Sequence, residues 1–592
     1  MKSELERAFD SDMLGIGVFQ QEWRRAMKQH YVMPVGVDDF RRVRQQYYYV
    51  DKTDFIRTLI DGHAQATLIT RPRRFGKTLS LSMLYYFFTM KEAEENRALF
   101  EGSIIEKAGE RYMAEQGTRP VVFLSLKDIK EDAFEGMLAG FADVMQTVYQ
   151  SFRFLLEGET LYPEEKEAFS AILFGRASRT ILQYSLQKLT GYLNRYYGKT
   201  VLVLIDEYDA PIQYAWDYGY YEEAIVFVRN YLSSVLKTNP HLDFAVLTGV
   251  LRIAKESIFS SLNNLKVASV AGGGLGEVMG FTHEEIRQMA ADFGAPEKYE
   301  ELRAWYDGYN FSGKAVYNPW SVISYFENGC QAAAYWVNTS GNAILKHMLA
   351  EATSAQVEEL AELMHGGTVR AELMEGVIYN DINENSDALY SLLLNTGYLT
   401  IEDYPDPYEA DDCTMRIPNW EIRALFKKEV MRYLSGLGSD GRMLKKLLAS
   451  LLSGDAADFQ EKLGTFLAVM ASFYDTAAKE SFYHGLVLGL LATLMPRFEV
   501  VSNREAGFGR FDIAIFPGKN QRVGAVLEFK VAEKEENLQE RAREALSQIQ
   551  DKDYLAEFTR RGVQEVWQYG IAFWGKRCLI EAGQKKSGIV LM

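Results

Sequence analysis

The amino-acid sequence predicts a multidomain α/β fold, with a parallel sheet in its first half, a helical middle and a second α/β unit at its C-terminal end. Continuous apolar runs alternate with helical patterns in the first half, and strand-like runs lie between helical patterns after residue 455. At 592 residues the chain is too long for a single core, so about two to four domains are expected.

Four apolar runs in the first half are predicted to be buried strands. They are rich in Val, Ile, Leu and Phe and do not alternate with polar residues, which suits parallel strands covered on both faces. Helical patterns over 79–91 and 177–196 separate them, as in an α/β fold. The runs are 66–70, 121–126, 201–205 and 244–247.

The remaining chain divides by pattern into two further regions. A capping box at Thr282 and Glu285 predicts the start of a helix, and helical periods with aromatic stretches follow. After residue 455 the pattern is helix, helix, three strands, helix and strand. The predicted domains are an N-terminal extension (1–30), the first α/β domain (31–281), a helical lid with a small helical or winged-helix-like region (282–454), and the second α/β domain (455–592).

The charge distribution limits how the chain could bind a polyanion. The net charge of −16 argues against broad electrostatic binding to nucleic acid. From Arg497 onward, however, 16 Lys and Arg residues stand against 14 Asp and Glu residues. One interpretation is a local basic face that binds a phosphate backbone, and the alternative is ordinary surface variation.

Cysteine usage and hydropathy predict a soluble cytoplasmic protein. Cys330, Cys413 and Cys578 lie too far apart in sequence for a disulfide framework or a Cys-based zinc site, which fits a reducing compartment. The first residues are charged and lack an apolar signal-peptide core. The longest apolar stretch, 485–495, is about half a membrane span.

The first candidate site is a phosphate-binding loop that begins at Thr70. Gly76, Lys77 and Thr78 follow a predicted strand and open a helix, so backbone N–H groups would face phosphates. Lys77 is predicted to reach the β- and γ-phosphates, and Thr78 to ligate Mg²⁺. Arg71 stands where the usual pattern has its first Gly, and Arg73 and Arg74 also crowd the loop. Arg71, Arg74 and Gly76 are further candidate nucleotide-binding residues.

Two carboxylates at the end of the third predicted strand strengthen this interpretation. Asp206 would hold the Mg²⁺ shell, and Glu207 would polarise the attacking water. Thr248, at the end of the fourth strand, would sense the γ-phosphate. Arg252 would stabilise charge in this chain or across a subunit contact. The alternatives are solvated acids at a strand end and a structural arginine.

The second candidate site combines carboxylates and a lysine near the C-terminus. Glu528 and Lys530 are two positions apart on a predicted strand and share one face, and Asp512 lies on the preceding strand. Two carboxylates beside an ammonium group favour a bound divalent cation, with Lys530 orienting water. Glu480 is a candidate third carboxylate and Gln548 a further polar member. The alternative is an ordinary amphipathic hairpin.

At these motifs the chain resembles bacterial proteins that join an N-terminal AAA-ATPase-like domain to a C-terminal PD-(D/E)xK nuclease superfamily domain. The resemblance covers nearly the whole chain from Tyr31 and implies a P-loop core of the ASCE type, a restriction-endonuclease-like tail, ATP as nucleotide and Mg²⁺, or Mn²⁺, as metal. It also implies that the arginine-rich loop is the family's own form. Further marks are found at 34–40, 49–53, 206–211, 259–264, 305–309, 317–320, 335–340 and 395–399.

Motifs and resemblance together predict an ATP-regulated, Mg²⁺-dependent nuclease. Nucleotide at the phosphate loop would bias the lid and so gate access of nucleic acid, with DNA favoured over RNA, to the Asp512 centre. A homo-oligomer is a further expectation. The alternatives are a nucleotide-dependent switch or scaffold with an inactive nuclease fold, and a non-catalytic binder. The aromatic cluster at 305–309 either stacks on bases or packs a core.

Overall fold

The computed structural model describes residues 32–586, except 254–263, 337–353, 365, 375–384, 405–411, 437–440, 471–479, 492–497, 507–508, 519–521 and 553. The predicted extension 1–30 lies outside the described residues. The chain separates into a first unit, Met1–Trp336 with Ala371–Glu421, and a second unit, Val337–Arg370 with Ile422–Met592. Within the described part, every helix is too short or too polar to span a bilayer.

A five-stranded parallel sheet forms the centre of the first unit, in the order β2–β3–β4–β1–β5. The four predicted strands are confirmed, and β1 and β3 are buried along their whole length, which explains their unbroken apolar runs. The sequence analysis did not predict the short edge strand β5, because Lys266 interrupts its apolar run. The strands are β1 Ala66–Thr70, β2 Val121–Ser125, β3 Val201–Asp206, β4 Leu242–Gly249 and β5 Leu265–Ala268.

Four long helices contact this sheet: Lys77–Phe88, Phe134–Ser151, Arg179–Tyr197 and Tyr221–Leu236. The other helices of the unit up to residue 236 are Phe40–Gln46, Asp54–Gly62, Ala93–Arg97, Ile104–Lys107, Glu110–Met113, Pro163–Leu173 and Ala210–Tyr218, with 3-10 turns at Ala98–Phe100 and Arg153–Leu156. The predicted helices over 79–91 and 177–196 are thus confirmed, with ends shifted by one to three residues.

The middle of the chain adds a mainly helical region to the first unit. The helix His283–Asp292 begins with the predicted capping box at Thr282. Tyr306 and Tyr309 are buried, so these members of the aromatic cluster pack a core. The other elements are Pro296–Lys298 (3-10), Tyr299–Tyr306, Pro319–Glu327 and Ser386–Thr396, a hairpin of β6 Tyr309–Phe311 and β7 Lys314–Val316, and the strands β9 Thr400–Asp403 and β10 Asp412–Arg416. The strand β8 Val369–Glu372 begins in the second unit and ends in the first.

The second unit is built on a five-stranded sheet in the order β11–β12–β13–β14–β15, in which only β13 and β14 run parallel. Neighbouring residues of β13 enter cores on opposite faces, Leu527 on one and Val526 on the other. The strands are β11 Phe498–Ala506, β12 Gly509–Pro517, β13 Val523–Val531, β14 Glu565–Trp574 and β15 Arg577–Lys586.

Helices cover both faces of this second sheet. Gly441–Ser453, Ala456–Met470 and Glu480–Leu491 pack on one face, and Leu538–Asp551 packs on β13, β14 and β15 from the other. The predicted order of helices and strands is confirmed, and β15 is an addition that the sequence did not predict. The unit also contains Ser354–Met364, Leu555–Arg560 and a 3-10 turn at Glu535–Asn537, and the helix Trp420–Gly436 begins in the first unit.

Candidate functional sites

The predicted phosphate loop lies between β1 and the helix Lys77–Phe88, at the carboxyl end of the parallel sheet. Arg71 N donates to Gly249 O at 3.0 Å, which joins the start of the loop to the end of β4. Arg74 and Gly76 have φ values of 71° and 82°, in the left-handed region. Because glycine adopts this conformation without steric cost, Gly76 permits the turn that starts the helix.

Asp206 joins two of the predicted site residues. Thr78 Oγ1 donates to Asp206 Oδ2 and Thr248 Oγ1 donates to Asp206 Oδ1, each at 2.7 Å. Asp206 is fully buried, and this burial, with the nearby charge of Glu207, raises its pKa. A hydroxyl and a carboxylate side by side are oxygen donors of the kind that Mg²⁺ prefers.

Lys77 forms the second part of the phosphate-loop site. Its Nζ lies 3.1 Å from Glu207 Oε1 and donates to Arg71 O at 3.1 Å and Pro72 O at 3.2 Å. Burial pushes the pKa of Glu207 upward, but the charge and hydrogen bond of Lys77, helped by Arg73, outweigh it and leave the pKa lowered. The lysine is therefore held in the loop, against a carboxylate that stays ionised.

Arg71 and Arg74 have different surroundings. Arg71 is fully buried, and its guanidinium donates to Thr70 O, Ala268 O and Leu275 O at 2.8, 3.1 and 2.8 Å. Burial lowers its pKa to about 10. Arg74 lies 3.9 Å above the Trp320 ring. Arg71 thus supports the loop from its buried side through bonds to backbone carbonyls, whereas Arg74 lies on the side of the loop that faces a solvent-accessible cavity.

A cavity of about 290 Å³ opens beside the loop. Arg74, Lys77, Thr78 and Glu207 line its charged end. The rest of the wall is largely apolar and comes from segments to which the sequence reasoning assigned no role: Met33, Val37, Tyr48, Val50, Met279, Phe281, Met289, Trp320 and Ile323. Such a cavity suits a molecule with an anionic end and an aromatic or apolar end.

Asp209 is a residue of this site that the sequence reasoning missed. It is buried, and its Oδ2 accepts from Val250 N at 2.9 Å and Leu251 N at 2.8 Å. Burial, with the charge of Glu207, raises its pKa to about 6. Arg252 lies next on the segment that Asp209 holds. The signal available in the sequence was the third carboxylate, three positions after Asp206.

In the second unit the structure brings Asp512, Glu528 and Lys530 together. Asp512 N donates to Glu528 Oε2 at 3.4 Å, and Lys530 Nζ lies 3.8 Å from Glu528 Oε1. Phe529 N donates to Asp512 Oδ2 at 2.7 Å. Burial raises the pKa of Asp512, although that N–H bond and the charges of His484 and Lys530 oppose the rise. Glu528 is 2% exposed.

Helices on the two faces of the sheet contribute the other polar groups. From Leu538–Asp551, the Gln548 amide donates to Glu528 Oε1. From the opposite helix, His484 Nε2 lies 3.1 Å from both Asp512 O and Ser502 Oγ. Glu480 begins this second helix, and its side chain lies outside what the structure describes. His484 was missed, although it stands four positions after Glu480 and hence on the same helix face.

Both candidate sites fit a hard divalent cation by the chemistry of their donors. Within the described ranges no group of three or more His, Cys, Asp and Glu residues could hold a metal. Mg²⁺, however, is commonly held by one or two carboxylates and keeps several waters or substrate oxygens. Thr78 with Asp206, and Asp512 with Glu528, supply ligands of that type.

Two parts of the chain match models of known protein families. Residues 34–259 match the family model of a predicted AAA-ATPase, and residues 478–583 match that of the PD-(D/E)XK nuclease superfamily. A protein of Azotobacter chroococcum mcd 1, described as an uncharacterized protein in the vnfD 5' region, is 28% identical over 554 residues, which cover 91% of this chain and 96% of that protein.

Among solved structures, a STAND-type signal transduction ATPase with a tetratricopeptide repeat sensor from Pyrococcus horikoshii aligns with a TM-score of 0.24 and 11% identity. The alignment covers 74% of this chain and 55% of that one.

Proposed function

We propose that this chain, which combines an AAA-ATPase-like domain with a PD-(D/E)XK nuclease superfamily domain, binds and hydrolyses ATP and thereby controls cleavage of nucleic acid. The observation that carries the first half is the meeting of Thr78 and Thr248 on one buried carboxylate, Asp206, beside the Lys77–Glu207 pair. ATP as the nucleotide, a homo-oligomeric state and a cytoplasmic location belong to the proposal.

The residues of the phosphate loop have distinct proposed roles. Lys77 exchanges its contact with Glu207 for the β- and γ-phosphates, which frees the Glu207 carboxylate to accept a proton from the attacking water. Thr78 and Asp206 would hold Mg²⁺, which supplies charge neutralisation between the phosphates. Thr248 links the Asp206 carboxylate to the end of β4, and Arg252 is the proposed charge stabiliser on the segment that follows.

For the second unit we propose hydrolysis of nucleic-acid phosphodiesters, with DNA favoured over RNA. Asp512 and Glu528 would hold a divalent cation, Mg²⁺ or Mn²⁺, that activates water and stabilises the developing phosphorane charge. Lys530, 3.8 Å from Glu528, would orient that water. Glu480 is the proposed third carboxylate. Gating by nucleotide would combine the two halves into one activity.

The decisive experiment is cleavage of single- and double-stranded DNA and RNA with Mg²⁺ or Mn²⁺, with and without ATP. We expect metal-dependent cleavage that disappears in Asp512→Ala and loses its response to ATP in Lys77→Ala. Equal cleavage by the wild type and Asp512→Ala would refute the nuclease half of the proposal.

The second candidate function is a nucleotide-dependent switch or scaffold whose nuclease fold does not cleave. It is favoured by one observation: Glu528 already accepts from Gln548 and faces Lys530, so the buried carboxylate has partners without a metal. This candidate predicts intact binding of the fluorescent analogue mant-ATP by the wild type and no cleavage under any condition of the same assay.

A further inference from the structure

A buried glutamate outside both candidate sites accepts hydrogen bonds on both of its carboxylate oxygens. Glu421 is fully buried, and its two carboxylate oxygens accept from Ser321 Oγ at 2.7 Å and Trp336 N at 2.8 Å. Burial raises the pKa of Glu421 to about 7, although these bonds, the N–H of Tyr335 and the charge of Arg74 oppose the rise. Because burying a carboxylate is costly, such a network calls for a role.

The segment that Glu421 holds also contacts the phosphate loop. Trp336 Nε1 donates to Arg73 O at 3.4 Å, and Arg74 Nη1 donates to Tyr335 O at 3.3 Å. The Arg74 guanidinium stacks on Trp320, which directly precedes Ser321 in the chain. The loop arginines are therefore bound by the same residues that solvate the Glu421 carboxylate.

Trp336 and Glu421 each lie at a boundary between the two units. The first stretch of the first unit ends at Trp336, and its last stretch ends at Glu421. Glu421 is also the second residue of the helix Trp420–Gly436, which continues into the second unit. The hydrogen bond from Trp336 to Glu421 thus joins two of the points at which the chain leaves the first unit.

We propose that Glu421 is a positioning residue that holds the Arg73–Arg74 part of the phosphate loop through Tyr335 and Trp336, so that nucleotide binding is transmitted to the two chain exits. Arg74 lines the cavity beside Lys77, within reach of an incoming phosphate. A phosphate that attracts this guanidinium withdraws it from Tyr335 O. The segment that Glu421 holds through Trp336 then loses its hydrogen bond to the loop arginine. The transmission part rests on the proposed nucleotide site.

The test is hydrogen exchange of the full chain, followed by mass spectrometry, with and without mant-ATP and Mg²⁺. Glu421→Ala removes both acceptors, whereas Glu421→Gln keeps one acceptor for Trp336 N and can donate to Ser321 Oγ. Glu301→Gln is the matched control, because Glu301 accepts a 2.7 Å bond from Tyr325 in the same region and lines neither the loop nor the cavity.

Without nucleotide, we expect peptides covering 70–76 and 331–336 to exchange about tenfold faster in Glu421→Ala, and within about twofold of wild type in Glu421→Gln and Glu301→Gln. Ser321→Ala, which removes a single hydroxyl, should give an intermediate increase and serves if Glu421→Ala does not fold. Unchanged exchange in both variants, or equal acceleration in Glu301→Gln, would overturn the positioning role.

With mant-ATP, the wild type should gain protection in 70–76 and lose protection in 331–336, because Arg74 leaves Tyr335 O. Glu421→Ala should show only the gain in 70–76, with about tenfold weaker binding. An equal change in the exchange of 331–336 in wild type and Glu421→Ala on adding mant-ATP would overturn the transmission. If the wild type binds no mant-ATP, the proposed nucleotide function fails, whereas the nucleotide-free comparison still decides whether Glu421 positions the loop.

Discussion

Thr78 and Asp206 are 128 positions apart in sequence, yet the threonine hydroxyl donates a 2.7 Å hydrogen bond to the buried carboxylate. The bond connects the first turn of the helix after the phosphate loop to the end of β3. The hydroxyl thus gives the carboxylate, which is costly to bury, a hydrogen-bond partner.

Thr78→Ala should lower ATP hydrolysis by about a hundredfold, because it removes a proposed Mg²⁺ ligand and one partner of Asp206. The unfolding free energy should fall by only about 1–2 kcal/mol, the cost of one lost hydrogen bond to a buried carboxylate. Thr78→Ser keeps the hydroxyl and is the control. ATP hydrolysis and urea unfolding measure the two effects, and wild-type turnover in Thr78→Ala would contradict the assignment.

Asp209→Asn should stabilise the protein at neutral pH. The folded pKa of Asp209 is about 6, above the unfolded value of about 4, so the wild type loses stability as pH rises through this window. The amide carries no such cost and still offers an acceptor to Val250 N and Leu251 N. We expect a gain on the order of 1–3 kcal/mol at pH 7.5 that vanishes below about pH 4.

Urea unfolding of wild type and Asp209→Asn across this pH range checks the prediction. The neighbouring Asp217, which is exposed and also follows β3, provides the control through Asp217→Asn. A stability difference for Asp209→Asn that does not change with pH would show that the effect comes from packing rather than from ionisation.

Gly76→Ala should weaken mant-ATP binding beyond its effect on folding. The left-handed φ of 82° costs an added Cβ about 1 kcal/mol, and no atom lies within 4 Å of that Cβ, so the cost is in the backbone alone. Gly175→Ala is matched, with φ 65° and equally open space. Both variants should lose similar stability, and only Gly76→Ala should lose binding, by about tenfold. If Gly76→Ala and Gly175→Ala bound mant-ATP equally well, the Gly76 turn would have no part in phosphate recognition.

Asp512→Asn should abolish metal-dependent cleavage and yet raise the metal-free melting temperature at neutral pH. Burial raises the folded pKa of Asp512, so its ionised form costs stability above that pKa, and the amide removes this cost. Added Mg²⁺ should raise the melting temperature of the wild type and leave that of Asp512→Asn unchanged. The exposed Asp551 gives the control variant Asp551→Asn. An equal Mg²⁺ response in all three proteins would place the cation elsewhere.

Several parts of the fold were predictable because their signal is local. The strands β1 and β3 are buried on both faces, so their apolar character is continuous, and the capping box at Thr282 uses residues three positions apart. The edge strand β5 gave a weaker signal, since a strand at a sheet border tolerates Lys266.

The sequence by itself determined the two α/β sheets and the motifs that carry chemistry, because hydrophobic periodicity and strand-end residues are local properties. Only the tertiary structure decided what those residues contact. The carbonyl partners of Arg71 include Ala268 and Leu275, about 200 positions away, so nothing near Arg71 in sequence reveals that its guanidinium is buried. The same holds for Glu421 and Trp336, whose hydrogen bond depends on chain segments that meet only when the first unit folds.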